Sequence, residues 1–136
     1  MGLLFAILLF FQVCGAPEFK TFYVEYPARI EPYEQIWLAV CQVESGGNRY
    51  AYHMEKDGWP AVGIAQIRWE RLHHYNIETE SHYVMKDMYD PAKSKKVFMH
   101  FAKQYGPYQK DLIIRRWNGS GKITYAYLNK VKKAMK

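Results

Sequence analysis

Residues 36–47 read Ile36-Trp37-Leu38-Ala39-Val40-Cys41-Gln42-Val43-Glu44-Ser45-Gly46-Gly47, an apolar run closed by one carboxylic acid and a glycine pair. Ile36, Ala39, Val40 and Val43 recur at helical spacing, and paired glycines stop helices. A helix is therefore predicted from Pro32 to about Ser45. Glu44 falls in its last turn, where desolvation and the negative end of the helix dipole both oppose ionisation. Both raise its pKa toward a value that suits a general acid near neutral pH. A carboxylate turned out to solvent at a frayed helix end is the plain alternative.

Outward from this run the chain continues mainly in helices. Asn48 to Ala61, with Gly58 and Pro60, reads as a loop, and a second helix is expected from near Gly63 through Ile64, Ile67 and Leu72. Residues 76–90 read as polar and irregular. Asp90-Pro91 opens a third helix, with Asp as N-cap and Pro in the first position. It points Val97, Phe98, Phe101 and Ala102 inward and ends at Gly106-Pro107. A short helix over about Tyr108 to Trp117 is broken by Asn118-Gly119-Ser120-Gly121. The last, about Thr124 to Met135, gathers Tyr127, Leu128, Val131 and Met135 on one face. Before Pro32, Phe19 to Ile30 reads as a short extended stretch. The expected fold is mainly α, a single domain of five or six helices with little or no sheet. A chain of 136 residues suffices for one such core.

Residues 2–13 are apolar at signal-peptide length, and Cys14-Gly15-Ala16 supplies small residues at a cleavage site, with Pro17 beyond. The run is shorter than the ~20 residues of a spanning helix. Residues 1–16 are accordingly read as a signal peptide and 17–136 as the mature domain, exported to the periplasm or cell envelope. No Lys or Arg precedes the apolar core, which departs from the usual signal pattern. Removal of the segment leaves Cys41 alone, so the mature domain rests on its core rather than on disulfides. Cys41 itself reads as a small buried hydrophobe.

Charge is unevenly placed. Residues 17–90 carry seven basic and twelve acidic side chains, a net −5, whereas residues 91–136 carry twelve and one, a net +11. A basic half suits an anionic polymer or surface, although solvated helix faces explain it equally well. No nucleic-acid motif accompanies it, and no nucleic-acid partner is expected. His73 and His74 are adjacent rather than at metal-ligand spacing, no H-E-x-x-H occurs, and glycine-rich nucleotide loops are absent. Neither a metal nor a cofactor is expected. Aromatic residues make up 17% of the chain, which serves core packing first and stacking on sugar rings second.

Three short motifs lie in order at helix boundaries: Glu44-Ser45-Gly46, Gly63-Ile64-Ala65-Gln66-Ile67 and Trp117-Asn118-Gly119. With Thr124-Tyr125-Ala126-Tyr127-Leu128-Asn129-Lys130-Val131 they make the chain resemble the soluble lytic transglycosylase family of the lysozyme-like superfamily. That family shows E-S-G, a G-L-M-Q-I type motif, an A-Y-N type motif and a closing E-T-x-x-Y-V-x-K-V pattern. Thr124, Tyr127, Lys130 and Val131 match the last in register, and Asp90-Pro91 sits where the family often opens a helix. The matches span about residues 33–133. Departures are Ile64-Ala65 for Leu-Met, Trp117 for Tyr, Ile123 for Glu, and Arg68-Trp69 for a Pro-containing continuation.

The resemblance implies a lysozyme-like fold and peptidoglycan glycan strands as substrate. Glu44 would be the single acid/base, and Ser45, Gly63, Gln66, Trp117, Asn118 and Tyr127 would bind or orient. Ser45 could bond the acid or a sugar hydroxyl, and Gly63 could let the backbone approach a ligand closely. Gln66 and Asn118 could face an N-acetyl amide, and Tyr127 could hold the Glu44 carboxyl. The implied reaction cleaves the bond between N-acetylmuramic acid and N-acetylglucosamine and closes a 1,6-anhydro ring. A hydrolytic muramidase, with Glu55 or Asp57 as second carboxylate, and a catalytically idle glycan-binding or assembly module are the rivals. A monomer is expected, serving wall remodelling or envelope-spanning secretion, conjugation or phage machinery.

Overall fold

The computed structural model describes residues 32–136. The signal-peptide reading of residues 1–16 and the extended stretch before Pro32 lie outside the described residues. Five α-helices, α1 (Pro32–Ser45), α2 (Trp69–Thr79), α3 (Pro91–Lys103), α4 (Lys110–Asn118) and α5 (Ile123–Ala134), carry the described chain. The architecture is mainly α, as expected. Between α1 and α2 lies a small antiparallel sheet of β1 (Tyr52–Met54), β2 (Pro60–Val62) and β3 (Ile67–Arg68), in the order β1-β2-β3.

The predicted helix at residues 36–45 forms because its apolar stripe has somewhere to go. Ile36, Trp37, Ala39, Val40 and Cys41 are buried. Gly46 and Gly47 end the helix in left-handed conformations, and their N–H groups donate back to Gln42 and Cys41. Phe98 of α3 is the centre of the core. Its ring meets Trp37 of α1 at 5.4 Å and Trp117 of α4 at 5.0 Å between centroids. Tyr127, Leu128 and Val131 bring α5 onto the same cluster. The α3 start follows the sequence reading, since Asp90 Oδ1 accepts from Ala92 N at 2.9 Å.

Three expectations are corrected. The stretch Asn48 to Ala61 is not a plain loop: it contains β1 and enters β2, paired Tyr52 to Val62 and Met54 to Pro60. The second helix begins at Trp69 rather than near Gly63, so Ile64 lies in the β2–β3 turn and Ile67 in β3. Residues 76–90 are not wholly irregular, because α2 runs to Thr79 and a 3-10 helix forms over Met85–Tyr89. Smaller differences follow the same logic. Tyr108 stands outside α4 at 96% exposed, and Phe101 is only partly buried because one side of α3 borders a cleft.

Gly63 shows why this region departs from a helix. Its φ is +82°, and a Cβ built there would lie 1.9 Å from the Met88 carbonyl oxygen of the 3-10 helix. Ser94 Oγ donates to that same carbonyl at 2.7 Å. The glycine therefore lets the β2–β3 turn nest against residues 85–89. Gly58 has a similar φ of +84° but open space around it. Gly58→Ala is expected to cost about 1–2 kcal/mol, the left-handed penalty alone. Gly63→Ala should cost more, about 3 kcal/mol or above, because backbone must move. Urea denaturation of the two variants checks the order; equal losses would contradict the nesting contact.

Candidate active site

One cavity of about 950 Å³ opens beside the end of α1 and has Glu44 in its lining. The sheet forms one wall through Tyr52, His53 and Glu55, with Gln66 and Arg68 beside them. Helix α2 contributes Glu70, Arg71, His74 and Glu78, and α3 with the turn after it contributes Phe101, Gln104 and Tyr105. The end of α4 closes the remaining side with Trp117, Asn118 and Gly119.

The Glu44 carboxyl is half-buried and held from across the fold. Tyr127 Oη, on α5, donates to Glu44 Oε1 at 2.6 Å. Burial raises the Glu44 pKa above the ordinary carboxylate value. The Tyr127 hydrogen bond opposes that rise, the Glu55 charge adds to it, and the Arg71 charge opposes it. Tyr127 is 8% exposed, and burial together with the neighbouring acid keeps its phenol protonated and donating. With Oε1 engaged as an acceptor, the ionisable proton of Glu44 resides on Oε2. Such a carboxyl can give a proton to a bound oxygen and later take one back.

The other predicted residues divide between those that reach the cavity and those that build it. Gln66 reaches it. Its backbone is left-handed, φ +48°, an uncommon state for a residue with a side chain. Its Nε2 donates to Gly63 O at 2.9 Å, which orients the amide. Asn118 is exposed at the α4 end and lines the cavity opposite the sheet.

Trp117 lines the cavity but is only 8% exposed, packed on Phe98 and covered by Arg71. Ser45 does not turn toward the acid or the cavity. Its Oγ donates to the Ile64 carbonyl at 2.7 Å, with Cys41 O at 3.2 Å, and ties the α1 end to the β2–β3 turn. Gly63 is absent from the cavity lining, and its close approach is to Met88 instead. Cys41 lies beneath, its thiol pushed up to about 12 by burial and by Glu44. It is no nucleophile.

The second-carboxylate candidates are engaged elsewhere in part. Arg68 Nη2 lies 3.2 Å from Asp57 Oδ2 and 3.6 Å from Glu55 Oε2. Of the two acids, Glu55 alone lines the cavity. Among the described residues no three His, Cys, Asp or Glu side chains converge to hold a metal ion.

Arg71 is the residue that sequence reasoning missed. Its guanidinium lies over the Trp117 ring at 4.4 Å and the Phe101 ring at 5.1 Å. Its Nη2 donates to Trp117 O at 2.9 Å and to Arg116 O at 3.2 Å, carbonyls of the last turn of α4. Glu70, His74 and Glu78, at i, i+4 and i+8 with Arg71 beside them, form a charged stripe on α2. That spacing was the available signal for a helix face bordering a polar cleft.

The transglycosylase SLT domain model matches residues 26–129. The chain belongs to this family. No curated protein and no solved structure matches it. The matched span takes in every residue lining the cavity, from Glu44 to Gly119, together with Tyr127.

A raised Glu44 pKa carries a stability consequence with a definite sign. The folded state holds this proton more tightly than the unfolded chain, whose reference value is 4.5. Stability is therefore full below that value and falls as pH rises toward the folded pKa. Glu44→Gln should melt above wild type at pH 8, and the gap should close below about pH 4. Thermal melts across that range check it; a gap independent of pH would contradict a desolvated acid.

Proposed function

We propose that this SLT domain is a peptidoglycan lytic transglycosylase with Glu44 as its single acid/base. The observation that carries the reading is the 2.6 Å bond from Tyr127 to Glu44 Oε1 at the wall of the cleft. It leaves one oriented, protonated carboxyl oxygen for a substrate. Family membership supports glycosidic bond cleavage, and the amides of Gln66 and Asn118 flank the cavity where an N-acetyl sugar could use both donor and acceptor.

In the first step Glu44 Oε2–H passes its proton to the glycosidic oxygen as the bond to the muramyl anomeric carbon breaks. The muramyl N-acetyl carbonyl oxygen bonds that carbon in its place, which accounts for a site with no protein nucleophile. In the second step the Glu44 carboxylate takes the proton of the sugar's own 6-hydroxyl. The 6-oxygen bonds the anomeric carbon, the N-acetyl group is released to its original form, and Glu44 recovers its proton. One glycosidic bond is exchanged for one internal acetal bond, and no water is consumed.

This reading places the domain where peptidoglycan is, so the apolar segment 2–13 acts as the export signal within it. The strand it opens serves wall remodelling or passage of an envelope-spanning assembly. The hydrolytic alternative rests on one observation, the presence of Glu55 in the same cavity. A second carboxylate there would activate water and give an inverting muramidase.

Digestion of purified peptidoglycan with mass analysis of the products separates these readings. Anhydromuramic ends are expected, and reducing ends would move the assignment to muramidase. Glu44→Gln should lose activity by about 10³-fold while staying folded. Glu55→Gln should stay within about threefold of wild type, since mutation of a charge without a direct catalytic part changes turnover little. A hundredfold loss there would favour the hydrolase, and no release by wild type would leave a glycan-binding module.

A further inference from the structure

A single carboxyl that serves first as acid and then as base has two opposed needs. It must hold its proton before reaction, yet its anion must persist long enough to receive one. Burial and the Glu55 charge favour the first need. A cation in direct contact would satisfy the second and abolish the first, because an ion pair at ~4 Å lowers a carboxyl pKa by roughly 1–3 units. Among the described residues Glu44 makes no ion pair of that kind.

Arg71 meets the condition of a cation held near but off. It lines the same cavity as Glu44, and its position is fixed by contacts with groups other than the acid. One face of the guanidinium lies on Trp117, and Nη2 is spent on the Trp117 and Arg116 carbonyls. Those carbonyls are the negative end of α4, where a cation is favoured. Anchored in this way, Arg71 is held on the α4 end and forms no ion pair with Glu44. Its charge is permanent, since a guanidinium keeps its proton at every working pH.

Cys41 on its own helix, Glu55 from the sheet wall, Arg71 from α2 and Tyr127 from α5 couple electrostatically to Glu44. His53, Arg68, Glu70, His74 and Glu78 line the same cavity. Tyr105, in the turn after α3, and Arg68 from β3 act on Arg71 in turn. The α4 end presents the neutral Trp117 and Asn118 to the cavity, with Arg116 beside Arg71 on its other side. Arg71 is thus the one cation among the described residues whose charge acts on the acid.

We propose that Arg71 is a positioning residue of this active site. Fixed on Trp117 and the α4 carbonyls, it stabilises the Glu44 anion between proton donation and proton return. The assignment rests on the single-acid reading above and extends it to a second residue. It also explains a costly arrangement, because partial burial against two aromatic rings disfavours the guanidinium charge.

The test is the pH profile of kcat/KM on soluble glycan strands for wild type, Arg71→Met and Arg71→Lys. The alkaline limb reports loss of the Glu44 proton in the free enzyme. Removal of the charge should move that limb up by about one pH unit, with a roughly tenfold loss in the maximum. Arg71→Lys restores the charge on a flexible stem, so its limb should return to the wild-type position or below it. Any other pattern overturns the proposal. In particular, a limb unmoved in both variants, or displaced equally in both, would reduce Arg71 to a packing cap on α4. Arg71→Gln, which keeps a donor for the Trp117 carbonyl, carries the same comparison if Arg71→Met melts below assay temperature. Full activity of Glu44→Gln would instead remove the single-acid reading itself, a result distinct from any limb position.

Discussion

The hydrogen bond between Tyr127 and Glu44 is the constraint on which the site depends. It joins α5 to the end of α1 across 83 positions of sequence, so it exists only when the whole helical domain has closed. The Val40 and Val131 side chains, both fully buried, belong to the core cluster that brings those helices together. Placement of the acid is therefore a product of the core. Its protonation is a product of burial, opposed in part by the tyrosine it accepts from. One interaction fixes the rotamer and moderates the pKa at once.

The cleft is assembled from parts with little in common. A short sheet gives one wall, a charged helix face another, and a helix terminus the third. They are held in register by three ties between elements. Ser45 ties α1 to the turn bearing Gln66, and the Gly63 nest seats that turn on the 3-10 helix. Arg71 fastens α2 to the end of α4.

Legibility in the sequence followed the range of the interaction. Asp90-Pro91 could be read because its cap bond spans two residues, and α1 because about two turns of apolar spacing precede a glycine stop. The sheet could not, since strands of three, three and two residues are too short to show alternation. Gly63 signalled a special backbone, but the sequence alone could not tell a ligand from the Met88 carbonyl that approaches it. Ser45 could be seen to need an acceptor, and only the fold reveals that Ile64 supplies it. The α2 stripe signalled a polar face, but not the role of Arg71, whose partners lie 45 and 46 residues away. The Tyr127–Glu44 contact was anticipated, but through family resemblance rather than through spacing or composition.

The central claim is that the half-buried Glu44 carboxyl is kept protonated by desolvation and oriented by Tyr127. Carbon-detected NMR titration of glutamate side-chain carboxyls, with Glu44→Gln to assign the signal, measures it directly. Glu44 should titrate above the ordinary carboxylate range, and higher still in Tyr127→Phe, because the lost hydrogen bond favoured the anion. A Glu44 signal that titrates with the solvent-exposed glutamates, unmoved by Tyr127→Phe, would contradict the account.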